Sequence, residues 1–409
     1  MVTIAVIRSS TATKHRIGYA DIEVWAQLAK KGYIIHVFLQ GRGNLEKAYG
    51  GTHVWEVGLP GIPIVSTIIY WLILLRKILK IKPDVIIVHY TSLPISIVCK
   101  VLLSSILIID IRSIPVISMS LLNRIRYEVP LKASFKSRFV DGVMVITDGM
   151  LAQIMKEYNV HPRVPICIWR SGFNPTYFNK EVNGESVRTI YGRGKHFILL
   201  YHGSIAKERG LDNLIYAIKL LVDNKIRDVG LWILGEGKDK TLLKELTTRL
   251  NLQEHILFLE PVSYHEVAKF IAAADVCVSP LPRHRWWMFQ FPLKVVECLA
   301  VGKPVIATDI WCHKQIRGGI IFSHGDSARA LANAIMSYIS ISTSMPHLLE
   351  KLREEAVTVS RKYSWENQAL VIHEYLKFLS SKRDLLHSHD TNHLNLFKVN
   401  NEKREVIES

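Results

Sequence analysis

The stretch DVCVSPLPRHRWWMFQFPLKVVECLAVGKPVIATD occupies residues 275–309. Its two ends, DVCVSPL (275–281) and KPVIATD (303–309), are short apolar runs of strand type. Between them Pro292 can open a helix over 292–301, because a first helical position needs no amide hydrogen. Two continuously apolar strands joined by a helix form a parallel pair covered on both faces. The same unit recurs on either side. Upstream, TIAVIRSS (3–10), IIHVFLQ (34–40), VWEVGLP (54–60), DVIIVHY (84–90), ILIIDIRS (106–113), GVMVITD (142–148) and VPICIW (164–169) alternate with helical patterns. RSGFNPTYFNKEVNGESVRTIYGRGK (170–195) breaks the rhythm and reads as a linker. Strand and helix patterns then resume from FILLYHG (197–203) to a helix at 326–340.

The expected architecture is therefore α/β, with two Rossmann-like, doubly wound domains facing across a cleft. Their expected bounds are 1–175 and 190–360, with a patternless, disordered tail over 381–409. In such sheets ligands bind beyond the carboxyl ends of the strands, where loops lead into helices.

The 409 residues, 49% hydrophobic and 22% charged, exclude a disordered chain and fit two or three domains. The net charge of +16 is uneven: residues 1–180 hold 22 basic and 10 acidic side chains, so most of the surplus lies in the N-terminal half. That half is expected to face something anionic. The five cysteines are scattered, with no C-x-x-C, so a disulfide framework and a zinc knuckle are not expected and a reduced, cytoplasmic setting is. MVTIAVIRSS turns polar too soon for a signal peptide. IPIVSTIIYWLILL (62–75) falls short of the roughly 20 apolar residues of a spanning helix and reads as buried or interfacial.

Three strand ends could carry chemistry. In YHGSIAKERG (201–210), Gly203 permits close approach of the backbone and Arg209 offers a planar fork of donors to phosphate oxygens. In ILGEGKD (233–239), Gly235 and Gly237 flank Glu236, but this lone G-x-G extends to neither a dinucleotide fingerprint nor a P-loop. In the opening stretch, Lys294 and Glu297 sit at i and i+3 at a helix start. Lys294 and the first amides can hold phosphate, whereas Glu297 can accept hydrogen bonds from a vicinal diol such as ribose. Arg283, His284, Arg285, Trp286 and Trp287 crowd the loop before it.

The order G-S-x4-R-G, L-G-E-G, F-x4-AAADVCVSP and F-P-x-K-x-x-E-x-L-A-x-G-K-P-V-I-A-T-D resembles the C-terminal domain of retaining GT-B glycosyltransferases of the GT4 type. KYSWENQALVIHEYLKFL (362–379) looks like the family's closing helix, expected over 363–380 and packed back on the N-terminal domain. The resemblance implies that Arg209, Lys294 and helix-start amides hold a nucleotide diphosphate, and that Glu297 binds the ribose. Gly203, Ser204, the Gly235–Glu236–Gly237 turn and Val262 would line the nucleotide, with the sugar near Gln290, Phe291 and Leu293. Three departures stand out: Phe289 replaces the first glutamate of E-x7-E, Ser204 replaces an arginine, and HRIG (15–18) replaces a glycine pair.

The N-terminal domain would then bind the acceptor. Its strand-end candidates are Arg8, Ser9, His89, Asp110 and Arg112, with His89 and Asp110 as candidate catalytic groups. Asp110 and Arg112 read equally as a structural ion pair. NRIRYEVPLKASFKSR (123–138) holds five basic residues and one acid among apolar ones, which suits either a solvated loop or peripheral contact with an anionic membrane.

The reading is a glycosyltransferase that moves a sugar from a nucleotide-diphosphate donor to a glycan or lipid-linked acceptor. No metal, cofactor or nucleic acid is expected. A non-catalytic scaffold and a nucleotide-sugar epimerase are the alternatives.

Overall fold

The computed structural model describes residues 1–11, 19–41, 45–58, 63–114, 121–387, 396–400 and 403–407. HRIG (15–18) lies outside them. The chain divides into two compact units, Met1–Ser171 with Trp365–Ser409, and Gly172–Ser364.

The first unit runs β1 (Thr3–Thr11), α1 (Tyr19–Ala29), β2 (Ile34–Gly41), β3 (Leu45–Tyr49), β4 (Thr52–Gly58), α2 (Pro63–Ile81), β5 (Val85–His89), α3 (Leu93–Leu103), β6 (Ile106–Ile111), α4 (Leu121–Lys136), β7 (Gly142–Val145), α5 (Asp148–Tyr158) and β8 (Ile166–Ile168). The second runs α6 (Glu185–Tyr191), β9 (Phe197–His202), α7 (Leu211–Asp223), β10 (Val229–Leu234), α8 (Lys240–Arg249), β11 (Ile256–Leu259), α9 (Tyr264–Ala273), β12 (Val276–Ser279), α10 (Arg285–Met288), α11 (Leu293–Ala300), β13 (Val305–Thr308), α12 (Trp311–Lys314), β14 (Ile320–Ser323), α13 (Ala328–Ser344) and α14 (Pro346–Ser360). The chain returns to the first unit with α15 (Trp365–His387), β15 (Leu396–Asn400) and β16 (Lys403–Ile407).

The second sheet has the order β11-β10-β9-β12-β13-β14, all parallel. This is the doubly wound order, and it reverses between β9 and β12. The first sheet reads β16-β15-β8-β7-β6-β5-β1-β2-β4-β3 and reverses between β1 and β5. Both switch points put strand carboxyl ends where the polar residues cluster. The strands are apolar on both faces because helices cover both: every residue of β10 is buried, as is every residue of β6, Asp110 included.

Helix α15 completes the first core. Ile372, Tyr375 and Leu376 pack with Trp25, Leu28 and Trp169. The Tyr375 hydroxyl donates to the Pro165 carbonyl at 2.6 Å and fills the space a side chain at Gly142 would need, since a Cβ there would lie 2.2 Å from it.

Three expectations change. The linker 170–195 is part of the second unit from Gly172 on: Arg188 on α6 donates to Asp275 Oδ2 at 2.7 Å and to the Ala273 carbonyl at 2.9 Å, and Phe178 stacks near Tyr264 at 4.9 Å. The tail is not featureless, because α15 continues to His387 and the β15–β16 hairpin extends the first sheet beside β8. Cys277 and Cys298 form a disulfide, with Cα atoms 6.4 Å apart, where unpaired thiols were expected. They lie on β12 and α11, and only the packing of helix on sheet brings them together. No described helix is long and apolar enough to cross a membrane.

Truncating Tyr375 to Ala removes a fully buried ring and its hydrogen bond. The cost should be about 3–5 kcal/mol, read as an earlier unfolding transition in urea. An unchanged transition would show that α15 does not stabilise this unit.

Candidate functional site

The loops after β9 and β10 interlock, and glycines allow it. Gly203 has φ +119° and Gly235 φ +144°. The Gly203 amide donates to the Leu234 carbonyl at 2.8 Å, and the Ile205 amide to the Glu236 carbonyl at 2.9 Å. A Cβ on Gly235 would sit 2.1 Å from the Gly203 carbonyl, and one on Gly237 would sit 2.0 Å from that of Ile205. The G-x-G turn is therefore required by backbone contact alone. Glu236 is exposed and pairs with buried Lys240 at 2.9 Å; Lys240 also holds Glu260 at 2.8 Å. Val262 follows β11, half-buried, two residues before α9.

Lys294 reaches across this loop from the first turn of α11. A Cβ on Gly203 would lie 2.5 Å from its Cε. Its Nζ donates to the Tyr201 hydroxyl at 2.8 Å and stands 4.2 Å from the centre of that ring. Tyr201 in turn donates to the Ser204 carbonyl at 2.7 Å, so Ser204 contributes backbone. Arg209 closes a short turn, Lys207–Arg209, and its guanidinium lies 4.1 Å from the Trp287 ring centre. Burial, then Arg209, push the Lys294 ammonium well below the usual lysine range, and Glu297 opposes this only in part. The Arg209 guanidinium and the Lys294 side chain are thus close enough to act on each other.

Glu297 lies one turn on and is buried. Burial raises its carboxyl to about 8, against smaller pulls from the Tyr264 hydroxyl and Lys294. His202 stands 3.9 Å from it, but burial and Lys294 lower that ring to about 3, so the imidazole is neutral and the contact is not an ion pair. The Leu293 and Val295 amides already bond to the carbonyls of Phe291 and Pro292. These two amides are not free for an anion, contrary to the expected part of the helix start.

The structure thus brings together Gly203, Ser204, Arg209, Gly235, Glu236, Gly237, Leu293, Lys294 and Glu297 around the ends of β9 and β10 and the start of α11. Phe291 is buried and packs 5.1 Å from Tyr363. Gln290 is half-buried in the turn before α11, its amide bonded to the Trp287 carbonyl at 3.3 Å. Phe289 stacks near Trp311 at 5.8 Å. Tyr201 was not singled out in the sequence because it sits within a buried strand; its lone hydroxyl was the available signal. His313 was missed as well. It is wholly buried, bonded to Ser279 Oγ at 2.9 Å and the Thr308 carbonyl at 2.7 Å, and it braces the loop after β12.

Asp110 and His89 belong to the other unit. Asp110 accepts from Arg8 Nη1 at 2.6 Å and from Trp169 Nε1 at 2.9 Å. Both carboxylate oxygens are engaged and buried, so the structural ion pair is the right reading, with Arg8 rather than Arg112 as the partner. Arg112 instead donates to the Trp169 carbonyl at 2.9 Å and to Ser171 Oγ at 2.7 Å. His89 contacts the Thr91 hydroxyl through Nδ1 at 2.8 Å, and burial and Arg8 lower it to about 4. It is a neutral ring at pH 7 and a weak base.

Residues 196–340 match the family model Glycosyl transferases group 1. The matched segment runs from β9 into α13 of the second unit. A glycosyltransferase of Methanocaldococcus jannaschii, itself uncharacterized, is 27% identical over 202 residues, covering 48% of this chain and 53% of that protein. The chain spans about half the length of the curated relatives it matches. Sucrose-phosphate synthase of Thermosynechococcus elongatus superposes with a TM-score of 0.73 at 17% identity, over 93% of this chain and 100% of that one. HepE of Anabaena in complex with UDP gives 0.71 at 15% identity, over 92% and 100%. These likenesses establish the GT-B fold, and the segment that matches the family model carries the second sheet.

Replacing Glu297 with Gln tests the buried carboxyl. The wild-type fold must hold this group neutral or bear a buried charge, so its contribution to stability falls as pH rises from about 4.5 to about 8. Glu297→Gln should therefore gain in Tm relative to the wild type across that window, by about 2–4 °C per kcal/mol. A difference that does not change with pH would mean that the carboxyl is not held in its neutral form.

Proposed function

We propose that the chain is a glycosyltransferase whose second unit binds a nucleotide-diphosphate sugar and transfers the sugar to an acceptor hydroxyl. The observation that carries this reading is the convergence of Arg209 and Lys294 at the switch point, one helical turn from Glu297. A diphosphate supplies the negative charge that burial and mutual repulsion of the two cations call for. It would favour the charged form of Lys294, and the two cations would stabilise charge on the departing diphosphate. Glu297 is suited to the ribose hydroxyls, because a buried carboxyl can accept hydrogen bonds from a vicinal diol.

No carboxylate stands where the first glutamate of E-x7-E would, since Phe289 occupies that position. The mechanism that fits is front-face attack with retention: the acceptor oxygen bonds to the anomeric carbon as the bond to the diphosphate breaks, and a leaving phosphate oxygen takes the acceptor proton. The complex of HepE with UDP supports a uridine nucleotide as the first donor to try. The acceptor would be a glycan or a lipid-linked glycan, with His89 and the Arg8–Asp110 pair at strand ends of the first unit shaping its site.

A thermal-shift screen of nucleotide diphosphates, followed by product analysis with and without acceptors, tests this. A true ligand at ~100 times its Kd adds about 2.7 kcal/mol. UDP should stabilise the wild type, and Arg209→Ala and Lys294→Met should each reduce transfer at least about 100-fold, as losing one charge-stabilising donor does. Undiminished transfer in both variants would refute the site. A donor isomer formed without acceptor would indicate an epimerase, and binding without turnover a scaffold.

A further inference from the structure

Helices α2, α3 and α4 of the first unit adjoin in series, α2 against α3 and α3 against α4. Each buries one stripe and turns another outward. On α2, Tyr70, Leu74 and Ile78 are buried, while Leu72, Arg76 and Lys80 are exposed. On α3, Leu93, Ser96 and Cys99 are buried, and the outward stripe is Pro94, Val98, Val101 and Leu102, entirely apolar. On α4, Leu131 and Phe135 are buried, whereas Ile125 and Val129 are 56% and 57% exposed, beside exposed Arg126 and Lys136. An ordinary surface helix shows water its polar side; these three show aliphatic residues.

Their charge is one-sided. The three helices carry eight lysines and arginines and one acid, Glu128. Apolar residues amid basic ones, on helices lying flat against a sheet, match an interfacial surface that sinks its aliphatic side chains into the headgroup boundary. Basic side chains at that depth are drawn to anionic lipid. A second copy of the same face would set like charges against each other, which disfavours self-association through it.

We infer that the outward face of α2, α3 and α4 docks the chain on an anionic lipid bilayer, without any segment crossing it. The segment 123–138 singled out in the sequence is one third of this face. The aliphatic centre, Val98, Val101 and Leu102, lies on α3, where the sequence gives no basic cluster to draw attention. Docking here is independent of the donor site, so it can fail without touching the glycosyltransferase reading, and the reverse.

The full chain is sedimented, without donor, with vesicles of phosphatidylcholine alone and of phosphatidylcholine with phosphatidylglycerol. Binding to the phosphatidylglycerol vesicles is expected, and it should weaken as salt is raised. The triple variant Val98→Ser, Val101→Ser, Leu102→Ser alters only exposed positions and should lower partition at least about tenfold. Charge reversal by Arg76→Glu and Lys80→Glu should lower it about as much. Wild-type chain that stays in the supernatant, or serine and glutamate variants that bind as well as wild type, would overturn the inference. So would a wild-type dimer in sedimentation velocity that the serine variant breaks.

Discussion

A lysine ammonium pressed against the ring and hydroxyl of Tyr201, with an arginine beside it, sets the terms for the second unit. Such a cation is costly to keep in a folded protein, because burial strips its water and Arg209 repels it. Glu297, the carboxyl closest in sequence, is itself held neutral by burial. The local structure around the pair is built to tolerate this arrangement. Gly203 gives up its side chain so that Lys294 can lie against the loop, and Trp287 gives Arg209 an aromatic face. The proposed diphosphate would bind at this switch point, where two basic side chains lie at the ends of the strands.

The interlocked glycines show how far sequence could be read here. Gly203, Gly235 and Gly237 were visible as turn residues at strand ends. That they are needed because one loop's carbonyls fill the space of the other's missing side chains depends on strand register, which spacing does not encode. Alternating apolar strands and helices told of two parallel sheets, since covering both faces leaves no polar alternation. The antiparallel strand β3 and the β15–β16 hairpin carry no comparable pattern and were not legible. The Cys277–Cys298 bridge was hidden for the same reason as the Lys294–Tyr201 contact: a helix crossing a sheet pairs residues far apart in the chain.

Buried polar groups were the main source of misreading. Asp110 ends an aliphatic strand, where a catalytic carboxylate and a structural one look alike in sequence. Arg8 and Trp169, which occupy both of its oxygens, are 102 and 59 residues away. Phe291 precedes the helix-opening proline, and its contact with Tyr363, on a turn after α14, could not be read from spacing. By contrast, the gathering of Arg209, Lys294 and Glu297 was legible, because a strand-end loop and a helix start set their spacing.

Amide hydrogen exchange with and without UDP tests most directly whether this loop cluster is the anion site. The account predicts slowed exchange confined to the backbone around 203–210, 235–237 and 293–298, with the rest of the second sheet unchanged. Protection that leaves these three segments untouched and appears elsewhere in the chain would contradict it.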